Sequence, residues 1–150
     1  MVMAAVFVAS LLVNAGRARA EERASTKDAE RMVHSTIDFI KKNGKDKAIA
    51  AVNDPKGAFT YRDLYVMIYD TKGTCLAHGA KKERVGKNMM GDKDADGKLF
   101  IKERIDIATK QGKGWQEYRF QNPTNQKVEQ KAVYIELYDG LVVTCGAYKA

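Results

Sequence analysis

Apolar positions along the chain fall into blocks of different period. Ala29, Met32, Val33, Ile37 and Ile40 recur at helical spacing and stop at Lys41-Lys42-Asn43-Gly44, which predicts an amphipathic helix. Ser25 and Asp28 have the S-x-x-D spacing that caps such a start. A shorter helical piece, Asp46 to Val52, runs into the turn residues Asn53-Asp54-Pro55-Lys56-Gly57. Leu64 to Tyr69 is β-branched and aromatic, apolar on both faces, and therefore reads as a central strand. Asp70-Thr71-Lys72-Gly73 then turns it into a second strand, Thr74 to His78.

Gly79 to Asp96 is a charged stretch holding Gly86 and Gly91. Leu99, Phe100, Ile101, Ile105, Ile107 and Ala108 follow as a third helix, closed by Gly112 and Gly114. Three strands complete the chain: Trp115 to Phe120, Ala132 to Tyr138 and Leu141 to Tyr148. Asn122-Pro123-Thr124-Asn125 and Asp139-Gly140 form the turns between them. The expected order is α, α, β, β, α, β, β, β, in one α+β domain.

Met1 to Val13 carry no charge, Ala4 to Val13 are apolar apart from Ser10, and Ala18-Arg19-Ala20 has the small-residue form of a signal-peptidase site. Residues 1–20 read as a removed secretory signal and 21–150 as the domain. About ten apolar residues are too few to span a bilayer, which needs about twenty, so no membrane insertion of the mature chain is expected. The mature protein is expected in the periplasm or secreted. Losing Arg17 and Arg19 lowers the net charge from +7 to +5. That balance suits anionic ligands, and without a Lys/Arg block or a known motif it gives no case for nucleic acid.

The strand-turn-strand Tyr65-Val66-Met67-Ile68-Tyr69-Asp70-Thr71-Lys72-Gly73, then Ala77-His78-Gly79 and Val85-Gly86-Lys87-Asn88, resemble the type-2 single Cache domain family. So do Asp94-Ala95-Asp96-Gly97-Lys98, Gly114-Trp115-Gln116-Glu117-Tyr118, Asn122-Pro123, Lys131-Ala132-Val133-Tyr134 and Cys145-Gly146-Ala147-Tyr148. Their order and spacing, over nearly all of residues 29–149, make the set specific. The resemblance implies a PAS-like fold, a five-stranded antiparallel sheet with a long N-terminal helix. It also implies an extracytoplasmic sensor of chemotaxis or kinase signalling with no catalytic machinery and no cofactor.

The chain ends just past its last strand, so a free-standing binding module is expected, signalling through a membrane-bound receptor or kinase. In the sheet order implied by the resemblance, Cys75 and Cys145 lie two strands apart, roughly 9–10 Å, beyond the reach of a disulfide. Both are expected as buried free thiols.

The resemblance places the pocket between the sheet and the segment linking the second and third strands. Tyr65, Met67, His78, Trp115, Tyr118, Lys131 and Tyr134 are the candidate ligand-binding residues. Lys131 would supply a charge for a small carboxylate, tyrosines would orient it, and Trp115 with Met67 would wall the apolar end. The competing motif is a calcium loop, with Asp92, Asp94, Asp96 and Glu103 at its first, third, fifth and twelfth positions and Gly97 at the sixth. Gly86, Asn88 and Gly91 make a poor helix before it, and Lys93, Lys98 and Lys102 add opposing charge. No Gly-x-Ser-x-Gly, Cys-x-x-Cys, His-Glu-x-x-His or phosphate loop is present.

Overall fold

The computed structural model describes residues 23–149. The expected signal segment, residues 1–20, lies outside the described residues. Helix α1 (Thr26–Asn43) begins with a complete capping box. The Ser25 side chain accepts the Asp28 N–H at 3.1 Å, and Asp28 accepts the Ser25 N–H at 2.9 Å, satisfying donors that the first turn leaves free. Its buried face is Ala29, Val33, Thr36, Ile37 and Ile40. Gly44, with φ of 88°, breaks the chain into helix α2 (Lys45–Asn53).

Six strands follow: β1 (Thr60–Tyr61), β2 (Leu64–Asp70), β3 (Cys75–His78), β4 (Lys113–Gln121), β5 (Val128–Tyr138) and β6 (Leu141–Tyr148). Helix α3 (Phe100–Gln111) precedes β4. All pairings are antiparallel. The main path runs β2-β6-β5-β4, and β1 and β3 also pair with β2. The expected five-stranded sheet is therefore present with one addition: β1, two residues long, pairs Thr60 with Tyr65 and Tyr61 with Leu64. A run that short has no period to detect in sequence. Asp139 and Gly140 both have positive φ, 48° and 77°, as a two-residue type I′ hairpin requires.

Strand alternation divides the interior in two. Leu64, Val66, Ile68, Tyr134, Val143 and Cys145 face α1 and α2. Tyr65, Met67, Tyr69, Tyr118, Val133, Ile135 and Tyr148 face α3. Burying each large apolar side chain in these layers contributes about 1.5–3 kcal/mol, and β2, buried on both faces, lies at their junction. Cys75 on β3 and Cys145 on β6 are buried free thiols with β2 between them.

Edge strand β4 is partly covered by the segment before α3. Asp94 Oδ1 accepts the N–H groups of Asp96 and Lys98, both at 2.9 Å, and Asp94 Oδ2 accepts the Arg119 N–H at 3.2 Å. Ala95 N–H donates to the Arg119 carbonyl, and Lys98 Nζ donates to the Glu117 carbonyl at 2.8 Å. Polar groups that an open strand edge would present to another chain are thereby paired. No described helix is long and apolar enough to cross a membrane.

Candidate functional site

Two cations are buried completely on the α3 side of the sheet, Lys131 from β5 and Arg104 from α3. Neither has a carboxylate within ion-pair distance among the described residues. Burying an unpaired charge is costly, so their surroundings are informative.

Lys131 Nζ donates to the Tyr65 hydroxyl at 2.9 Å and lies 4.2 Å from the Tyr65 ring centre and 4.7 Å from that of Tyr148. The Tyr65 and Tyr148 hydroxyls are 3.0 Å apart. Gly146 makes room for this arrangement, because a Cβ there would lie 2.7 Å from Lys131 Cε and 2.6 Å from Val133 Cγ2. Arg104 Nε donates to Gln116 Oε1 at 3.1 Å and Nη1 donates to the Tyr69 hydroxyl at 3.4 Å. Its Nη2 is buried without a partner. Gln116 is itself fixed by donating to the Phe100 carbonyl at 2.6 Å.

Tyr118 lies beside this cluster, stacked on Phe100 at 4.7 Å and 5.3 Å from the Arg104 guanidinium carbon. Burial raises the pKa of its phenol, but Lys131 and Arg104 outweigh that and pull it below the ordinary tyrosine value. Burial pushes Tyr69 up to about 12 and Tyr65 and Tyr148 upward as well, so these hydroxyls keep their protons and can donate.

His78 ends β3 and stacks on Tyr65, with ring centres 5.1 Å apart. Its Nδ1 accepts the N–H groups of Ala80 and Lys81 at 3.2 and 2.8 Å, which assigns the proton of the neutral ring to Nε2. Burial first, then Lys131, Arg84 and Arg104, lower its pKa to about 2. It is a neutral donor rather than a general base. A groove of about 160 Å³, lined by Thr60, Asp63, Tyr65, Gly79, Ala80 and Pro123 among others, shares Tyr65 with the cation cluster.

Of the residues expected from sequence, Tyr65, Met67, His78, Tyr118 and Lys131 come together here. Trp115 and Tyr134 do not. They pair across β4 and β5 on the opposite face, and Tyr134 lies in the layer under α1 and α2. Tyr134 donates to Glu136 at 2.8 Å and packs against Trp115, which is 43% exposed. Trp115 and Tyr118 are three apart on one strand, as are Lys131 and Tyr134, so neither pair can share a face.

The calcium-loop residues do not converge either. Asp92 accepts from Arg84 at 2.9 Å, Asp96 from Arg119 at 3.2 Å, Glu103 pairs with Lys98 at 3.4 Å, and Asp94 holds three backbone N–H groups. No group of three or more potential metal-binding side chains occurs among the described residues.

Arg104, Gln116, Tyr148 and Arg84 were not expected at the site. Arg104 had a signal: it occupies the buried stripe Phe100, Ile101, Arg104, Ile105, Ala108 of α3, where a cation is out of place unless it has a task.

The single Cache domain 2 family matches residues 4–150. The chain belongs to this family. Cache domains of this kind are extracytoplasmic ligand-sensing modules. In fold, the domain is similar to a methyl-accepting chemotaxis protein from Vibrio parahaemolyticus, with 24% identity over 88% of this chain and 89% of that one and a TM-score of 0.70. It is also similar to a Cache chemosensory domain described for carboxylic acid recognition, with 17% identity, 92% and 99% coverage and a TM-score of 0.71. A third similar structure is the periplasmic sensor domain of a chemotaxis protein, with 21% identity, 92% and 100% coverage and a TM-score of 0.67.

Proposed function

We propose that this Cache domain is an exported sensor of a small organic acid and that Lys131 is the charge that holds the acid's carboxylate. The carrying observation is a fully buried ammonium whose hydrogen-bond partner is a phenol rather than an acid. A carboxylate entering beside Tyr65 and Tyr148 would gain a charge-assisted hydrogen bond from Lys131, and a second from the Tyr148 hydroxyl if it turned from the Gln121 carbonyl to which it now donates. Met67 supplies apolar wall on the same face.

A family neighbour described for carboxylic acid recognition supports the same ligand class. The reading takes residues 1–20 as the export signal and 21–150 as one binding domain with no catalytic role and no cofactor. Occupancy would pass to a membrane-bound receptor or kinase.

Thermal-shift measurement of the purified chain against short carboxylates, amino acids, purines and calcium tests the proposal. A rise in melting temperature with small acids that disappears in Lys131→Met supports it. A response to purines alone, or one indifferent to Lys131, overturns it.

A further inference from the structure

The end of the sheet where α1 begins carries a surface unlike the rest. Two hairpin tips meet there: Arg62 and Asp63, between β1 and β2, line one groove with Pro123 and Thr124, between β4 and β5. Arg62 Nη1 donates to the Arg23 carbonyl at 3.4 Å, and Asp63 Oδ1 accepts the Ala24 N–H at 2.7 Å. Arg23 in turn pairs with Glu129 of β5 at 2.6 Å. The two tips and the start of α1 are thereby joined into one face.

Apolar and basic side chains share this face. Four large apolar residues are exposed among the described residues, and two of them, Tyr61 and Val128, each 47% exposed, flank the two tips. The Arg62 guanidinium carbon lies 5.0 Å from the Tyr61 ring centre. Lys27 in the first turn of α1, Lys56, Arg62 and Lys127 are exposed, with no acid within ion-pair distance among the described residues. The acids here are turned inward or occupied: Asp63 is buried, Glu129 is held by Arg23, and Asp28 closes the capping box of α1. Exposed Asp54 accepts the Lys56 N–H at 3.0 Å.

The backbone holds side chains on these tips at some expense. Arg62 has φ of 55° and Gln126 φ of 62°, the left-handed region that glycine occupies without strain. Residues kept in such a conformation cluster where the side chain has a use.

We propose that this face is a membrane-surface contact, docking the domain peripherally on an anionic lipid bilayer, with the cations on the headgroup phosphates and Tyr61 and Val128 at the headgroup–acyl boundary. The charge is complementary, and a phenol on an apolar ring suits an interface that is dry on one side and wet on the other. Each Lys or Arg close to an anionic surface contributes about fivefold in partitioning. With a screening length of about 8–10 Å, only cations on this face count. Lys42 and Lys47 flank Gly44 at the far end of α1, which is 18 residues or about 27 Å long. A domain held this way stands beside the membrane-bound partner of the proposed signalling role.

The test is co-sedimentation of the exported chain, with residues 1–20 removed so that their apolar run cannot insert. The vesicles are phosphatidylglycerol with phosphatidylcholine in equal parts, against phosphatidylcholine alone. Binding is expected only to the anionic vesicles, with release at about 1 M salt, where the screening length shrinks to about 3 Å. Arg62→Gln with Lys127→Gln is expected to weaken binding about 25-fold, and Tyr61→Ser with Val128→Ser to weaken it severalfold. Lys42→Gln with Lys47→Gln removes the same charge from the far end and should leave binding within about twofold of the parent. Melting temperatures establish that each variant is folded.

No sedimentation with the anionic vesicles, equal sedimentation with phosphatidylcholine alone, or an equal loss in the two charge variants overturns the inference. The acid-sensing reading stands or falls separately, since it rests on Lys131 and not on these tips.

Discussion

Lys131 on β5 reaches past β6 to donate to the Tyr65 hydroxyl on β2, 2.9 Å away. That charge has no carboxylate partner among the described residues: burial opposes it, and the phenols of Tyr118 and Tyr65 outweigh burial and hold its pKa above the ordinary lysine value. Replacement by an apolar side chain of similar length should therefore separate stability from binding. Lys131→Met is expected to leave the stability of the domain roughly unchanged, since a well-packed apolar replacement for a buried charge is often neutral. Carboxylate affinity should fall about 10–100-fold. Chemical denaturation and calorimetry on the same samples read both; a marked loss of stability without loss of binding would show that Lys131 is structural.

Gly146 has the opposite character. A Cβ there would meet Lys131 Cε, Val133 Cγ2 and the Ala132 carbonyl at 2.7, 2.6 and 3.0 Å, and the last is backbone that cannot swing away. Gly146→Ala is expected to cost about 1–3 kcal/mol through overpacking. By displacing Lys131, it should also weaken acid binding. Denaturant midpoints that match the parent would mean that β5 and β6 separate more easily than their pairing indicates.

His78 makes acid sensitivity predictable. Its folded pKa of about 2 lies far below the ordinary 6.5, so the unfolded chain binds the proton more readily and stability declines as pH falls from about 6.5. For this one group the loss reaches about 2 kcal/mol at pH 5. Glu117, Glu129, Asp28 and Asp94, whose pKa values are lowered, lose their contributions only at lower pH, nearer the carboxylate range. His78→Asn keeps an acceptor for the Ala80 and Lys81 N–H groups without titrating near neutrality. It is expected to flatten the melting temperature between pH 7 and pH 5, and an unchanged slope would assign the sensitivity elsewhere.

Helices and strands were legible because their periods were clean. The Ala29-to-Ile40 stripe, the Ser25–Asp28 cap and the Asp139-Gly140 turn each encode local geometry and appear in place. The site was less legible because it is an agreement between faces of different strands, set by register. Alternation alone could have separated Trp115 from Tyr118 and Tyr134 from Lys131. Arg84 and Gln116 had no such signal, since only the folded chain brings the segment after β3 against Phe120 and turns Gln116 toward Arg104.

Asp94 is the residue on which string matching and structure disagree most sharply. In a calcium loop its carboxylate would be a ligand; here it accepts three backbone N–H groups and fastens the turn before α3 onto the edge of β4. Asp94→Ala removes all three bonds at a largely solvated position, where each contributes about 0.5–1.5 kcal/mol at most. A total loss of about 1–3 kcal/mol is expected, along with faster amide exchange at Arg119 and a greater tendency to associate through the uncovered strand. Calcium should change neither the melting temperature of the parent nor the size of this loss. A calcium-dependent rise in the parent that Asp94→Ala abolishes would restore the metal reading, because only an ion gathering these carboxylates could link the two effects.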